Sequence, residues 1–159
     1  MNSFNEEFRV GMRRLASGVS LITTTHNQLH YGFTATSVNS LSVEPPTLMV
    51  CINKSVSSHD IFLKSAYFAV NILGKIQKGI AQRFSSSESR KGRFATDDWK
   101  LHNTCSPLLA HAIANFECRT SMSFSIHTHT ILMGEVTSVF VNDFYLDQLI
   151  YFNGNYIDF

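Results

Sequence analysis

The spacing of apolar residues predicts a helix at the start of this chain. Apolar side chains recur there three to four residues apart, at Phe4, Phe8, Met12 and Leu15. Ser3 followed by Glu6 is typical of a capping box at a helix N-terminus. We therefore expect an amphipathic helix over residues 4–16, with Gly18 ending it.

The segments that follow have the length and composition of β-strands. β-Branched and apolar residues fill 19–25, a polar segment occupies 26–30, and 31–37 is again strand-like, which predicts an antiparallel hairpin. The run 47–52 is apolar on both faces, as in a central strand, and 67–73 predicts another strand.

Short helices and two longer strands complete the pattern. We expect helices over 60–65 and 77–84. Apolar and polar residues alternate over 114–121, and this strand is expected to pair with a long strand at 130–141 through the region 123–127. Six antiparallel strands with a few short helices favour a mainly β (α+β) fold, closed or partly closed as a barrel.

One segment, residues 85–100, is much more polar than its neighbours. Its composition predicts a mobile surface loop that is too polar for a core position. Arg90, Lys91 and Arg93 within it either close over an anionic ligand or form a solvated cluster of charges.

Composition narrows the class of protein. With 159 residues, 44% of them hydrophobic, the chain has the size of a single domain over 1–159. A net charge of +1 gives no overall field for nucleic acid or an anionic membrane. Three widely spaced cysteines without a CxxC pair favour a reducing cytoplasm. An acidic start and the lack of long apolar runs predict neither a signal peptide nor a membrane span.

The densest hydroxyl-bearing segment lies at residues 32–46, between Gly32 and the pair Pro45-Pro46. Small side chains allow a ligand to approach the backbone, and the N–H and O–H groups are donors for a phosphate or a polarised ring carbonyl. A polar edge strand followed by a loop is the other interpretation of the same composition.

Segments spread over almost the whole chain resemble the flavin reductase-like proteins of the FMN-binding split barrel. No single motif is decisive, but their order and spacing agree with that family. The matching segments are Phe8-Arg9 to Met12, Gly18-Val19, Thr34-Ala35-Thr36-Ser37, Ser40, Ser42, Pro45-Pro46, Cys51-Ile52-Asn53, 68–73, Gln77, Ala81, Arg83-Phe84-Ser85, Gly134-Glu135-Val136, Leu149-Ile150-Tyr151-Phe152 and Tyr156.

This resemblance implies a homodimer of six-stranded antiparallel Greek-key split β-barrels with one flavin per subunit near the subunit interface. It also implies that NADH or NADPH transfers a hydride to bound FMN or FAD, and that the reduced flavin or its electrons reach a partner such as a flavin-dependent monooxygenase. The implied flavin-binding residues are Thr34, Ala35, Thr36, Ser37, Ser40, Cys51, Ile52, Asn53, Ser57, His59, Ala81, Phe84 and Ser85.

Within that set, residues 34–37 are expected along the isoalloxazine ring, and Ser40 and the 53–59 turn along the ribityl chain and phosphate. Cys51 is expected to make contact without redox chemistry, because no second cysteine or activating cation is near it in sequence. Phe84 is either a core residue or a contact, and His59 either a helix-capping neighbour of Asp60 or a donor to the ligand.

The chain departs from the family pattern at His127-Thr128-His129, where many members have Gly-Asp-His before the Gly-Glu-Val strand. A histidine in place of glycine costs backbone freedom, and the missing carboxylate removes an orienting partner for the imidazole. His129 is the candidate catalytic residue for positioning or proton delivery. The alternatives are a metal site formed by two histidines on one strand face, and a solvent-facing turn.

Three hypotheses follow: a flavin reductase, a flavin or electron carrier without nicotinamide nucleotide oxidase activity, and a flavin-free use of the same barrel. The altered triplet motivates the second hypothesis. The choices between FMN and FAD, and between NADH and NADPH, remain open at this point.

Overall fold

The structure is a computed structural model that describes residues 3–86, 92–96, 98–143 and 147–157. Its helices are α1 (Ser3–Met12), α2 (His59–Lys64) and α3 (Lys78–Ser85), with a 3₁₀ turn at Lys75–Gln77. The strands are β1 (Ser17–Gly18), β2 (Ser20–His26), β3 (Leu29–Ala35), β4 (Val38–Val43), β5 (Pro46–Asn53), β6 (Tyr67–Ile72), β7 (Trp99–Lys100), β8 (Leu108–Leu109), β9 (Ala114–Ile126), β10 (His129–Val141), β11 (Ile150–Phe152) and β12 (Asn155–Ile157).

A large antiparallel sheet dominates the fold and confirms the mainly β class. Among the described residues it has seven strands in the order β3-β2-β6-β9-β10-β5-β4. Within this sheet, the strand missing from the sequence prediction is β4, part of the hydroxyl-rich segment, which pairs with β5 from Val38↔Val50 to Val43↔Pro46. Six strands were expected because that segment lacks the apolar alternation of a typical strand.

Both predicted hairpins are present. β2 pairs with β3 from Ser20↔Ala35 to His26↔Leu29, and the two residues between them, Asn27 and Gln28, have φ of 49° and 64°. Left-handed conformations at both positions are typical of the tight turns that match the twist of a hairpin. β9 and β10 pair over most of their length, with His127 and Thr128 between them.

The core has two parts. Ile22, Val50 and Phe68 belong to the cluster buried inside the large sheet. A second cluster, which includes Leu21 and Phe84, lies where α3 and the small sheet β1-β11-β12 cover the other face of β2. Burial of these two faces fixes α3 against β3 and thereby one wall of the site described below.

The prediction that residues 85–100 are too polar for the core is wrong for two of them. Phe94 and Trp99 pack against the second core cluster, with Phe94 5.1 Å from Phe84 and 4.8 Å from Trp99 between ring centroids. These two aromatic residues are isolated in sequence among polar residues, so local composition hides them. Residues 87–91, with Arg90 and Lys91, lie outside the described residues.

The polar residues that alternate with apolar ones along β9 are not all exposed. Asn115 and Glu117 were expected on a polar face, yet both are buried, as is Asn71 on the neighbouring strand β6. Asn71 Oδ1 accepts hydrogen bonds from the Asn115 amide and the Leu109 N–H, both at 2.8 Å. We call Asn71, Asn115 and Glu117 the buried polar face.

Helix α1 is shorter than predicted, because it ends at Met12 instead of residue 16. None of its residues is buried, and Phe4 and Phe8 are 69% and 63% exposed. The amphipathic pattern is therefore real, but its apolar side is not covered by the described part of this chain. No helix in the described residues is long and apolar enough to cross a membrane.

Candidate cofactor site

A groove runs along the junction of β3, α3 and the C-terminal strands. Its largest part is a cavity of about 640 Å³. The walls combine hydroxyl, amide, cationic and aromatic side chains from Thr34, Thr36, Lys78, Gln82, Ser85, Tyr151, Gly154, Asn155 and Tyr156.

A second cavity of about 250 Å³ continues from the first, because Thr34 and Ser85 line both. Its other walls come from β3, the turn after β5 and the end of α3, through Phe33, Ser55, Val56, Ser57, Phe84, Ser86 and Arg93. At the opposite end, Thr36 and Tyr151 connect the largest cavity to one of about 460 Å³ beside α1. We call these three connected cavities the groove.

Helix α3 is held close to β3 by two features. Thr34 Oγ1 donates a 2.7 Å hydrogen bond to the Ala81 carbonyl. Gly32 faces the Phe84 ring so closely that a Cβ atom there would lie 2.8 Å from a ring carbon. A glycine at this position therefore lets the helix carry Ser85 to the edge of the groove.

Two tyrosines from the small sheet form the opposite wall. The rings of Tyr151 and Tyr156 meet edge to face with their centroids 5.3 Å apart. Burial raises the pKa of the Tyr156 hydroxyl, and the nearby Tyr151 adds to this, although a hydrogen bond with Ser85 acts in the opposite direction. Tyr156 is thus a neutral hydroxyl at neutral pH that links α3 to β12 across the groove.

Six residues expected from the family resemblance lie together in the groove. These are Thr34, Thr36, Ser37, Ser57, Phe84 and Ser85. Phe84 is both core and lining, because it is 2% exposed and yet borders the smaller cavity.

Other expected residues have side chains that point away from the groove or into the core. Ile52 and Ala81 are fully buried, and Ala35 is 6% exposed, so a ligand would meet them through the backbone. Cys51 is half-buried, and both its N–H and its carbonyl are hydrogen-bonded to Ser37, at 3.2 Å and 3.3 Å.

The expected residues on β4 and around the turn after β5 differ in exposure. Ser40 on β4 and Asn53 at the end of β5 are exposed, and the Asn53 carboxamide oxygen accepts a 2.9 Å hydrogen bond from the Ser55 N–H. His59 is buried, with Nδ1 2.8 Å from Asp60 and Nε2 2.9 Å from Thr130. Both ring nitrogens are thus bonded within the protein. This favours the interpretation of His59 as a helix-capping neighbour of Asp60 over that of a donor to the ligand.

The departure from the family pattern lies in the tight turn between β9 and β10. His127 has φ of 46°, a conformation that costs a non-glycine residue energy. This agrees with the sequence analysis, in which His127 stands where many members of the family have glycine. His129 begins β10 opposite Asn53 and is exposed, with Nδ1 2.9 Å from the Thr128 hydroxyl.

The two histidines do not share one strand face, because His127 lies in the turn. The premise of the metal-site alternative is therefore wrong. Among residues 3–86, 92–96, 98–143 and 147–157, no group of three or more His, Cys, Asp or Glu side chains is arranged to hold a metal ion.

Several lining residues were missed by sequence reasoning. Lys78, Gln82 and Asn155 line the largest cavity, but each is a common surface residue with no motif of its own. Tyr151 and Tyr156 were part of the family resemblance without an assigned role. The Asn153-Gly154 pair between them, a typical two-residue hairpin turn, was the signal that could have placed the two tyrosines opposite each other.

The mainly β fold and the groove define a ligand-binding β protein, and the comparison with family models agrees with this class. Residues 12–159 match the model of the flavin reductase like domain, and the chain belongs to that family.

The relatives are reductases. The chain is 42% identical over 151 residues to an FMN reductase (NADH) RutF of Stutzerimonas stutzeri (strain A1501), covering 95% of this chain and 86% of that protein. It is 35% identical over 153 residues to the reductase component of an FADH(2)-dependent resorcinol hydroxylase of Rhizobium sp. (strain MTP-10005), covering 95% and 85%.

A solved structure supports the same fold. The NADH:FAD oxidoreductase SgcE6 of Streptomyces globisporus C-1027, in complex with NAD and FAD fragments, superposes with a TM-score of 0.91 at 26% identity, over 100% of this chain and 94% of that one.

Proposed function

We propose that this chain is a flavin reductase that uses NADH or NADPH to reduce FMN or FAD. The observation that carries the proposal is the groove, where residues expected from the family resemblance converge with a cation and two aromatic rings. Relatives named as NADH-dependent FMN reductases favour NADH as the donor. The proposed domain spans residues 1–159 and forms a six-stranded split barrel in which β4 extends the sheet.

The residues present fit a flavin mononucleotide. A volume of about 640 Å³ is within the usual range for ligand cavities. Thr36 and Ser85 carry hydroxyl donors, Lys78 carries a positive charge, and the tyrosine rings give apolar surface. This mixture suits a ligand with one planar ring system and one phosphate.

In this proposal residues 34–37 would follow the flavin ring, while Ser40, Asn53 and Ser57 would lie towards the ribityl chain and phosphate. His59, whose ring nitrogens contact Asp60 and Thr130, would hold the turn in place. The Ser57 and Ser85 hydroxyls would donate hydrogen bonds to the phosphate, and the positive charge of Lys78 would balance its negative charge. The bound flavin supplies the redox chemistry by accepting a hydride from the reduced nicotinamide. The chain itself contributes binding, orientation and exclusion of water.

His129 is proposed as a positioning or proton-delivery residue for the nicotinamide nucleotide. It lies next to Asn53 at the edge of the turn that leads to Ser57, and is exposed to an incoming ligand. We expect His129→Ala to slow nucleotide oxidation more than it weakens flavin binding. Equal loss of both would argue against this role.

The overall test is an assay with added flavin. The purified protein is mixed with FMN or FAD, and the absorbance of NADH and NADPH at 340 nm is followed under air. We expect oxidation of the nucleotide that depends on flavin and protein. Flavin binding without nucleotide oxidation would instead support a flavin or electron carrier, which the left-handed His127 in the altered triplet favours. Binding of neither flavin would support a flavin-free role.

A homodimer is proposed on the basis of exposed apolar surface. Phe4 and Phe8 on α1, and Met122, Phe124 and Ile126 on β9, are between 48% and 69% exposed. Patches of this kind in a small protein mark interaction surfaces. Sedimentation equilibrium is expected to give twice the chain mass of 17.9 kDa.

The proposed acceptor is a flavin-dependent monooxygenase, because a relative is named as the reductase component of such a system. The proposed location is the cytoplasm. All three cysteines, Cys51, Cys105 and Cys118, are free thiols, which favours a reducing compartment.

A further inference from the structure

Residues 101–107 connect β7 to β8, and we call this segment the strap. Its residues belong to no strand, and side chains of the large sheet hold it in place. Thr25 Oγ1 donates a 2.5 Å hydrogen bond to the Cys105 carbonyl, and Thr23 Oγ1 donates one of 2.6 Å to the Pro107 carbonyl. These two bonds attach the second half of the strap to β2.

The first half of the strap is attached to a single carboxylate. Glu117 is fully buried on β9, and both of its side-chain oxygens contact the strap. Oε1 accepts hydrogen bonds from the Thr104 N–H at 3.0 Å and from the Thr104 hydroxyl at 2.6 Å, and Oε2 lies 2.8 Å from His102 Nδ1. A buried carboxylate is stable as an anion only with such partners, so the closed strap and the ionised Glu117 stabilise each other.

The closed strap contains two unfavourable features. Cys105 has φ of 55°, a left-handed conformation that costs a non-glycine residue energy. Ser106 Oγ is buried, and within the described part of the chain it has no hydrogen-bond partner. Both costs disappear when the strap opens into water, so the closed form depends on its bonds to the sheet.

The strap is connected to the wall of the groove through β7. The ring of Trp99, which lies just before the strap, is 4.8 Å from that of Phe94 and 5.7 Å from that of Phe84 between centroids. Phe84 lines the cavity of about 250 Å³ in the groove. The ladder between β7 and β8 has two residue pairs, so the strap that joins these strands also helps to hold Trp99 against the two rings.

We infer that the strap is a pH-sensitive switch, closed while Glu117 is ionised and opened by protonation of Glu117, which loosens this wall of the groove. Burial raises the pKa of the Glu117 carboxyl, but the hydrogen bonds from Thr104 and His102 outweigh it and hold the pKa below its usual value of 4.5. The closed strap is therefore favoured above about pH 4.5 and is lost as the pH falls further. Only the effect on flavin binding rests on the proposed function.

Other titratable groups on the packed elements respond differently to acid. By position and strand register these groups are His102 and Cys105 in the strap, Cys118 and Arg119 on β9, Tyr67 on β6 and Glu135 on β10. Burial, with a smaller contribution from the charge of Glu117, raises the pKa of the Cys118 thiol to about 12, so it stays neutral in acid. Protonation of His102 places a positive charge beside the carboxylate and favours the closed strap. Glu135 is the other carboxyl of this set, and it is replaced in a control.

Amide hydrogen exchange tests the switch without any ligand. Protection factors of peptides covering residues 101–109 are measured by mass spectrometry between about pH 3 and 7 for the wild type and Glu117→Gln, with peptides of β2 and β6 as the reference for global unfolding. At neutral pH the strap should be protected about tenfold less in Glu117→Gln, since a hydrogen bond to a charged group is lost. The wild type should approach the variant as the pH falls. Equal protection in the two proteins, or simultaneous loss in strap and sheet, would overturn the inference.

A second variant covers the case in which Glu117→Gln does not fold. His102 is exposed, and its ring meets that of Phe140 edge to face at 5.0 Å, so His102→Phe keeps a ring in this place but removes Nδ1. It should also lower the protection of the strap. The matched controls are Asn103→Ala, an exposed residue of the same turn, and Glu135→Gln, and both should behave like the wild type. A loss of protection in either control equal to that in Glu117→Gln would contradict the role of Glu117.

Trp99 reports on the wall of the groove, because it is the single tryptophan of the chain. Its emission should move to longer wavelength in the wild type as the pH falls, and should already be shifted at neutral pH in Glu117→Gln. The dissociation constant of FMN at neutral pH should be about fivefold higher in this variant, a usual size for coupling between two sites. Unchanged emission and FMN binding beside faster exchange of the strap would overturn the link to the groove. If the wild type binds no FMN, the proposed function fails, and exchange and emission still decide on the switch.

Discussion

The buried polar face and the groove are two polar regions with opposite designs. In the buried polar face, each carboxamide or carboxylate has partners inside the chain: Glu117 accepts hydrogen bonds from Thr104 Oγ1 at 2.6 Å and the Thr104 N–H at 3.0 Å, and lies 2.8 Å from His102 Nδ1. In the groove, hydroxyl, amide and cationic groups from four different elements line one cavity, and some of them also bond within the chain, as Thr34 does to the Ala81 carbonyl. Polar groups enclosed among partners hold a structure together, whereas polar groups that border a cavity can also reach a ligand.

The largest effect is expected in the buried polar face. Asn71 donates to the Leu21 carbonyl and to Thr23, and accepts from Leu109 and Asn115. Asn71→Ala should lower the free energy of unfolding by about 3 kcal/mol, because it removes these bonds and leaves buried donors unpaired. Urea denaturation measures the loss. An unchanged unfolding midpoint would show that the two regions do not differ as described.

The next effect is a dependence of stability on pH. Burial raises the pKa of the Glu117 carboxyl, but the hydrogen bonds from Thr104 and His102 outweigh it, so the pKa lies below its usual value of 4.5. A lowered pKa in the folded state means that the ionised carboxylate stabilises the fold above about pH 4.5 and that this stabilisation is lost as the pH falls further.

Urea denaturation at several pH values between 3 and 7 checks this. The wild type should lose stability towards low pH more steeply than Glu117→Gln, which cannot titrate. Equal slopes for the two proteins would show that the carboxylate is not stabilised by its buried partners.

A smaller effect is expected in the groove, and it concerns binding instead of stability. Ser85→Ala should weaken FMN binding by about 1 kcal/mol, equal to about a fivefold rise in the dissociation constant, if the hydroxyl makes one hydrogen bond to the ligand. Its unfolding free energy should change by less than about 0.5 kcal/mol, because the residue is exposed. If Ser85→Ala lowered the free energy of unfolding but left FMN binding unchanged, Ser85 would have a structural role and no role in binding.

The substitution Ser40→Ala tests whether the flavin site extends beyond the groove onto β4. Ser40 was expected to meet the ligand, but it is exposed on β4 and does not border the three cavities of the groove. We keep the prediction that its loss weakens FMN binding by about 1 kcal/mol. An unchanged dissociation constant would remove Ser40 from the site and end the groove at Ser37 and Asn39.

The smallest effect is expected at an exposed ion pair that belongs to neither region. Arg119 and Glu135 approach to 2.7 Å, with side chains 58% and 38% exposed. Glu135→Gln should change the free energy of unfolding by less than about 1 kcal/mol, since water screens such pairs. It is the carboxylate control for Glu117→Gln, and a similar pH response in both would contradict the distinction between buried and exposed acids.

Sequence patterns predicted those parts of the fold whose stability depends on local alternation and turns. The hairpin of β2 and β3, the pairing of β9 with β10, and the positions of α2 and α3 follow from apolar periodicity and breaker residues. The two-residue strands β1, β7 and β8 were missed, because segments this short carry no periodic signal.

The candidate site was predicted in outline for a similar reason. Thr34, Thr36 and Ser85 come from segments that resemble the family, and the structure places all three in one cavity. Lys78 and Asn155 come from the same cavity but lie 77 positions apart in the sequence, so nothing local connects them. Their relation depends on α3 and β12 forming facing walls of the same cavity.

By itself the sequence determined the mainly β class, the two long hairpins and the hydroxyl-rich segment as the first candidate for ligand binding. The tertiary structure alone decided which polar residues are structural. Glu117 and Ser85 are both polar residues in regular elements, yet Glu117 is fully buried among donors and Ser85 borders the groove. The physical reason is that a polar group's role depends on whether water, another residue or open space lies beside it, and that is set by contacts between residues distant in the chain.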